Sequence, residues 1–149
     1  MATNTLITNY SYANLFVWNN RFNTGASVTA SGSDIELLAG MLIGRVASTG
    51  RLKQSISTAT DGSQDPIGVL TQDYTIPDGE SLNLNYCYSG DVNANLIVFG
   101  GSPADTLTTE ISLVDSATNI VKIGTIGDLL RFKGVNPIAT SENTYIDNQ

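Results

Sequence analysis

The sequence predicts a mainly β fold: one domain of short antiparallel strands, with a single small helix near residues 125–133 and an extended N-terminal arm. Short apolar runs of strand length alternate along the chain with turn sequences rich in Gly, Asp and Pro. One segment near the C-terminus combines the apolar spacing of a helix with signals for both helix ends. Residues 1–33 contain one charged side chain, Arg21, and six asparagines, which favour extended chain because Asn bonds to its own backbone.

The N-terminal region, residues 1–33, is predicted to be an arm followed by lead-in strands. Its larger apolar residues come in small groups and include the only Trp of the chain: Leu6, Ile7, Tyr10, Tyr12, Leu15, Phe16, Val17, Trp18 and Phe22. Exposed aromatic rings are unfavourable in water, so we expect them to be covered. Two interpretations remain open: the arm wraps the core of its own subunit, or it docks on a partner, where aromatic anchors carry much of the binding energy.

The stretch 37–70 is predicted to form the β core, as three antiparallel strands with one buried face. The strands cover residues 40–46, 51–56 and 66–70. Gly50 lies between the first two strands, where a tight hairpin requires a positive φ. Pro66 opens the third strand, a position that tolerates the missing N–H, and Gly68 leaves space for a neighbouring backbone or a bulge.

Residues 71–99 are predicted to continue the β structure with further strands. A turn is expected at residues 77–80 (PDGE). The strand 81–88 alternates, so that Leu82, Leu84, Tyr86 and Tyr88 face one way and Asn83, Asn85 and Cys87 the other. Residues 89–93 are predicted to turn the chain, and residues 94–99 (ANLIVF) to form another buried strand.

The helix is predicted at residues 125–133. Thr125 is a good N-cap, and Asp128 three residues later favours the positive end of the helix. Ile126, Leu129 and Leu130 form one apolar face, and Gly134 ends the helix.

The rest of the C-terminal part is predicted to contain a hairpin and a last short strand. Residues 111–114 and 120–123 are expected to pair across residues 115–119, and the strand is placed at residues 135–138. The predicted division is residues 1–33 for the arm and lead-in strands, 34–140 for the β domain and 141–149 for a polar tail.

The composition excludes several classes of function. Charged residues make up 14% of the 149 residues, and the net charge is −7, from 7 Lys and Arg against 14 Asp and Glu. A negative chain repels phosphate and anionic lipid headgroups, so neither nucleic acid nor a membrane is expected as a partner. The sequence shows no secretory signal pattern and no apolar run of about 20 residues, so folding in the cytoplasm is expected.

Residues that carry catalysis or bind metals are sparse. The chain has no histidine, which excludes Ser-His-Asp and Cys-His sites and leaves too few ligands for zinc. The single cysteine, Cys87, is interpreted as a small core residue. Nothing marks any two of the carboxylates that glycoside hydrolysis would need as neighbours: Asp34, Glu36, Asp73, Glu80 and Asp91. No enzymatic activity, cofactor or metal site is therefore expected.

Two further features each have a structural and a functional interpretation. Residues 61–65 (DGSQD) are interpreted as an ordinary turn, because a dedicated calcium loop needs more ligands. Tyr74, Tyr86 and Tyr88 are candidates for the stacking platform of a carbohydrate-binding domain. A β domain with few charges, an aromatic arm and no catalytic residues is typical of an interaction or structural protein.

Short motifs follow one another in a fixed order through the centre of the chain. They are residues 38–44 (LAGMLIG), 49–53 (TGRLK), 61–62 (DG), 66–70 (PIGVL) and 88–92 (YSGDV). Their order and spacing resemble the head decoration proteins of tailed bacteriophages, of the lambda-like capsid-stabilising type. The late helix followed by Gly134 and Val135 is similar to that of larger members, and the resemblance covers about residues 36–135. The long N-terminal region departs from short members, which carry a brief polar arm.

The resemblance implies a compact β-tulip or barrel-like domain and a structural role in the virion. Such a protein is made in the host cytoplasm and binds the outside of an expanded head as a homotrimer at three-fold positions. It stabilises the head against internal DNA pressure, with the major capsid protein as its partner. In that family the arm adds a strand to a capsid loop, so the resemblance assigns capsid contacts to Leu6, Ile7, Tyr10, Tyr12, Phe16 and Trp18.

Two alternatives to head decoration remain open at this point. One is a virion protein associated with the tail or a fibre, and the other is a carbohydrate-binding β domain.

Overall fold

The computed structural model of the chain describes residues 14–114 and 121–139. The strands are β1 (Phe16–Ala26), β2 (Ile35–Leu37), β3 (Leu42–Arg45), β4 (Leu52–Gln54), β5 (Pro66–Leu70), β6 (Tyr74–Ile76), β7 (Asn83–Asn93), β8 (Glu110–Val114), β9 (Val121–Thr125) and β10 (Val135–Ile138). The helix α1 covers Ile126–Lys133, and Ala94–Leu96 form one 3₁₀ turn. The predicted mainly β fold with a small helix near residues 125–133 is therefore confirmed.

The central sheet is built around β7. Its path runs β1-β7-β5-β3-β4, and β10 pairs with β7 in addition. Val92 of β7 pairs with both Phe16 of β1 and Pro137 of β10, so these two strands lie on opposite edges of β7. β5 pairs with β7 at Tyr86 and Cys87, on the edge away from β1. All of these pairs are antiparallel except that of β10 with β7, which is parallel.

The central sheet is buried on both faces, so the prediction of one buried face was wrong. Leu42 and Val69 belong to a first hydrophobic cluster, which the β8–β9 hairpin and α1 cover with Ile111, Ile126 and Leu130. Ile43 and Leu70, one residue further along their strands, belong to a second cluster, which β2 and β6 cover with Leu37 and Ile76. Successive side chains of a strand point to opposite faces of the sheet. Two adjacent apolar residues in a strand therefore indicate that both faces of the sheet are buried.

The predicted three-stranded core is confirmed, with β3 and β4 shorter than expected and β5 as predicted. β3, β4 and β5 are antiparallel, with β3 in the middle. Gly50 has a φ of +72° in the turn between β3 and β4. Pro66 opens β5, and a Cβ atom added at Gly68 would lie 2.5 Å from the carbonyl oxygen of Cys87. The close approach predicted at Gly68 is therefore a contact with the backbone of β7.

Two predictions for residues 89–99 were wrong. Residues 89–93 do not turn the chain, because β7 continues through them with β1 on one edge and β10 on the other. Residues 94–99 do not form a strand. The side chain of Asn93 accepts a hydrogen bond from the amide of Asn95 at 3.0 Å and caps the 3₁₀ turn, a local bond that competes with strand pairing.

The C-terminal elements agree with the sequence. β8 and β9 pair from Glu110–Thr125 to Val114–Val121, while the predicted connection at residues 115–119 lies outside the described residues, as does the tail 141–149. Thr125 caps α1 by accepting a hydrogen bond from the Asp128 amide at 3.1 Å. Gly134 ends the helix in the left-handed conformation, with a φ of +101°.

The central sheet curls without closing into a barrel. After β1, the amide of Val28 donates to the carbonyl oxygen of Leu52 in β4 at 2.8 Å, and Ser27 forms a single bridge with the same residue. Within residues 14–114 and 121–139, the two edges of the sheet therefore meet only where β1 ends. The first half of β1 is left as an edge strand among the described residues.

Candidate interaction surface

The first half of β1 is paired irregularly with β7. The register shifts between Phe16 and Trp18, between Trp18 and Arg21, and again after Arg21. Asn19 has a φ of +52°, which makes it the one residue other than glycine with a positive φ in the part of the chain that is described. A Cβ atom at Gly90 of β7 would lie 2.7 Å from the carbonyl oxygen of Asn19. The bulge in β1 therefore depends on a glycine in the strand opposite.

The side chain of Asn20 holds this bulge in place. Its Nδ2 donates to the carbonyl oxygen of Asp91 at 2.9 Å and lies 3.5 Å from Sγ of the buried Cys87. Trp18, just before the bulge, is left 72% exposed. Bulges re-aim side chains at the edges of sheets, and this one presents the largest aromatic side chain of the protein to solvent.

Phe16 and Phe22 connect this edge to the core. Phe16 is half-buried and packs against the first cluster. The ring of Phe22 meets it edge to face, with centroids 5.3 Å apart and planes at 87°. Phe22 itself is 49% exposed, and Tyr88 of β7 is 39% exposed. The ladder of β1 and β7 thus carries three exposed aromatic side chains: Trp18, Phe22 and Tyr88.

The structure places two of the six predicted contact residues. Phe16 and Trp18 both lie in β1, with Phe16 turned toward the core and Trp18 toward solvent. Leu6, Ile7, Tyr10 and Tyr12 lie outside the described residues. Leu15 is buried in the first cluster, so the chain is part of the domain from that residue onward.

The three tyrosines considered for sugar stacking do not form one exposed surface. Tyr86 is buried in the second cluster. Tyr74 is half-buried, and its hydroxyl accepts a hydrogen bond from the amide of Asn85 at 2.9 Å. Tyr88 alone of the three is exposed.

Four of the five carboxylates considered as a catalytic pair bond to backbone or side-chain groups. Asp34 accepts from the amide of Asp78, Glu36 from the hydroxyl of Thr75, Asp73 from the amide of Ala39, and Asp91 from the side chain of Asn136, at distances of 2.8 to 3.1 Å. Across the described ranges, no three His, Cys, Asp or Glu side chains are grouped so that they could hold a metal ion. In the same ranges, no helix has the length and apolar character needed to cross a membrane.

Residues 61–65 form a turn that is stabilised from within. The Asp61 carboxylate accepts from the hydroxyl of Ser63 at 2.5 Å, from the Ser63 amide at 3.0 Å and from Nζ of Lys53 at 3.1 Å. The two bonds from Ser63, and then Lys53, lower the pKa of Asp61 from 3.8 to about 2. At the end of the turn, Asp65 accepts from Nζ of Lys133, which also donates to the carbonyl oxygen of Pro66 at 2.8 Å.

A second apolar surface lies between α1 and the β8–β9 hairpin. It is a groove of about 360 Å³ lined by Leu113, Ile123, Gly124, Leu129 and Phe132, together with the paired Asp65 and Lys133. Phe132 is 90% exposed and Ile123 is 66% exposed. We call this surface the helix groove.

Sequence reasoning missed the helix groove, although a signal was present. The apolar face of the predicted helix consists of Ile126, Leu129 and Leu130. Phe132 lies away from that face by the angular spacing of a helix, so its ring had to project away from the core. Exposed aromatic residues of this kind mark an interaction surface more often than isolated aliphatic ones do.

Comparison with known proteins identifies one protein family. A family model described as bacteriophage lambda head decoration protein D matches residues 11–117, more than two thirds of the chain. The match includes β1 with Trp18 and continues through β8, while α1 and β10 lie beyond it. Among curated proteins, none matches the chain.

Proposed function

Since the chain belongs to the head decoration protein family of bacteriophage lambda protein D, we propose that it binds expanded phage heads as a homotrimer at three-fold positions. Membership makes it a structural protein of the phage head, of the capsid-stabilising kind. The finer statements are our proposal: the trimer, the three-fold position, the preference for expanded heads and the resistance to internal DNA pressure. The major capsid protein is the proposed partner.

The proposed capsid contact combines the N-terminal arm with the exposed edge of β1. Among the described residues within the family match, Trp18 is the most exposed aromatic side chain, and it lies in the first strand after residues 1–13. Buried Trp and Tyr side chains dominate the binding energy of many interfaces. We assign Trp18 as the anchor next to the domain and Leu6, Ile7, Tyr10 and Tyr12 as contacts of the arm. Phe16 positions Phe22 and the edge from the core side.

Charge supports a protein partner over a nucleic acid. The chain carries −7 overall, and Arg21 is the one charged residue among the first 33. A surface of this composition repels the phosphates of the packaged genome and relies on apolar and backbone contacts with protein. Many copies bound to one head would also add their modest individual affinities.

Co-sedimentation with heads tests this function. The purified protein is mixed with expanded, undecorated heads and, in parallel, with unexpanded heads as the control. We expect saturable binding to expanded heads alone, at three copies per three-fold position. Binding to neither form would contradict the proposed function, and binding to tails would favour the alternative of a tail-associated protein.

A second experiment separates the arm from the domain. In a variant with serine at Leu6, Ile7, Tyr10 and Tyr12, no residue of the described domain is replaced, and thermal unfolding of the variant is measured as the control for folding. We expect head binding to fall at least tenfold. A variant that decorates heads as well as the wild type would contradict the proposed arm contacts.

A further inference from the structure

The helix groove exposes more apolar surface than folding of the domain requires. α1 already buries Ile126 and Leu130 in the first cluster, and its last turn is fixed by Lys133, which donates to Asp65 and Pro66. Phe132 takes no part in these contacts and is 90% exposed. Beside it, Ile123 is 66% exposed at the rim of a groove of about 360 Å³. A protruding aromatic ring next to an apolar groove is the geometry of a docking surface.

Local charge indicates which partner the helix groove fits. A chain with a net charge of −7 repels other copies of itself, so copies meet most easily where the local charge is balanced. Asp65 and Lys133, which line the groove, are paired, and elsewhere on α1 Asp128 lies 3.8 Å from Arg131. In these two pairs the positive and negative charges are equal in number, and both Asp128 and Arg131 are exposed.

The opposite side of the domain carries negative charges without positive ones. The second cluster is covered by β2 and β6, and residues 30–41 and 71–82 around these strands contain no Lys or Arg. They carry five carboxylates: Asp34, Glu36, Asp73, Asp78 and Glu80. Two copies that met through this side would bring like charges together at a cost of several kcal/mol. Of the two covering layers, the one with α1 is therefore the side that copies of this chain can share.

We propose that the helix groove is the contact between copies of this chain, with Phe132 of one copy packed against the groove of the next around the three-fold axis. This inference rests on the proposed homotrimer and names its interface. It assigns different surfaces to the two partners: β1 and the arm to the capsid, and α1 with β9 to neighbouring copies. The helix lies beyond the residues matched by the family model.

Sedimentation velocity of the free protein tests the interface. We expect the wild type to sediment with three times the mass of one chain. We expect Phe132→Asp to sediment as a single chain, because association would bury the new carboxylate next to the same carboxylates of the neighbouring copies. Ile123→Asp should weaken association in the same direction. Both residues are exposed, so far-ultraviolet circular dichroism and thermal unfolding of the monomeric variants should match a folded domain.

Trp18→Ser is the matched control, since it removes an exposed aromatic residue from the other surface. We expect it to remain trimeric and to lose head binding, whereas Phe132→Asp should bind heads more weakly through lost avidity. A wild type that stays monomeric, or Phe132→Asp and Ile123→Asp variants that stay trimeric, would overturn the inference. If such variants are trimeric and the wild type still decorates heads, the interface is wrong and the proposed function stands. If the wild type binds no heads, the function fails whatever the oligomeric state.

If the helix groove were covered by residues 1–13 or by the major capsid protein, the same variants would give different results. If residues 1–13 of the same chain covered it, the serine variant of the arm would change the environment of Ile123 in the free monomer, which its methyl NMR signal reports. If the major capsid protein covered it, Phe132→Asp would remain trimeric and lose head binding. Either result contradicts the proposed contact between copies.

Discussion

The strands β5 and β1 flank the central part of β7, and they differ in burial and in the regularity of their pairing. β5 is buried: Val69 and Leu70 are inaccessible, and Gly68 brings its backbone against β7. β1 is an edge strand whose first half is bulged and whose Trp18 is 72% exposed. Both pair with the same residue, Cys87. The same strand thus has one neighbour that is buried and one neighbour whose outer edge is exposed.

The contrast shows that apolar content alone does not reveal the role of a strand. β5 and the first residues of β1 are both rich in large apolar residues. In β5 they are aliphatic and adjacent, which matches burial on both faces. In β1 they are mostly aromatic, and the asparagines at positions 19 and 20, where the bulge lies, separate Phe16, Val17 and Trp18 from Phe22. Stability should therefore depend on β5, and binding on β1.

The largest expected difference is between Leu70→Ala and Trp18→Ala. Leu70 is fully buried in the second cluster, so its truncation leaves a cavity and should lower the free energy of unfolding by about 2–5 kcal/mol. Trp18→Ala should change it by less than about 0.5 kcal/mol, since the side chain is already in water. Urea unfolding of both variants measures this. Equal losses would remove the distinction between the two strands.

Gly68→Ala tests how closely the backbones of β5 and β7 must pack. The new Cβ would lie 2.5 Å from the carbonyl oxygen of Cys87, so β5 and β7 must separate, and we expect a loss of about 1–3 kcal/mol. Gly124→Ala is the matched control in β9, where the nearest atom is 3.6 Å away. It should be tolerated within about 0.5 kcal/mol. A loss at Gly124 as large as that at Gly68 would show that close approach is not the cause.

Gly90→Ala tests whether the bulge positions Trp18. Gly90 has a φ of +113°, and a Cβ there would lie 2.7 Å from the Asn19 carbonyl oxygen, so we expect a loss of about 1–2 kcal/mol. Because Trp18 is the only Trp, its fluorescence emission should shift in this variant and stay constant in Gly68→Ala. An unchanged emission in Gly90→Ala would mean that the bulge does not set the position of Trp18.

The smallest effect is expected at the exposed turn beside β4. Asp61 has a pKa of about 2 in the folded protein against 3.8 for its ordinary value, so its bonds to Ser63 and Lys53 stabilise the fold above pH 4. This contribution is lost as the pH falls from about 4 through 2. The Asp61 side chain is 39% exposed, so Asp61→Asn should cost less than about 1 kcal/mol at pH 7. The difference from the wild type should shrink as the pH falls from 4 and vanish below pH 2, and a constant difference would contradict this assignment.

The sequence predicted those features of the structure that depend on neighbouring residues and missed those that depend on long-range contacts. The core strands, the β8–β9 hairpin and the cap of α1 by Thr125 follow from neighbouring residues and were predicted. The continuation of β7 through residues 89–93 was missed, because Gly90 and Asp91 resemble a turn until β1 and β10 are in place on either side. The exposure of Trp18 also depends on a long-range contact, the bulge that faces Gly90.

The affinity of Trp18→Ala for expanded heads decides whether β1 is the binding edge. It is measured by co-sedimentation, together with the free energy of unfolding of the same preparation. Leu38→Ala is the control, since Leu38 is 46% exposed in the turn after β2 and has no proposed contact. We expect Trp18→Ala to lose at least tenfold in affinity at unchanged stability, while Leu38→Ala binds like the wild type. A Trp18→Ala protein that decorates heads with wild-type affinity would contradict the assignment of β1 as the binding edge.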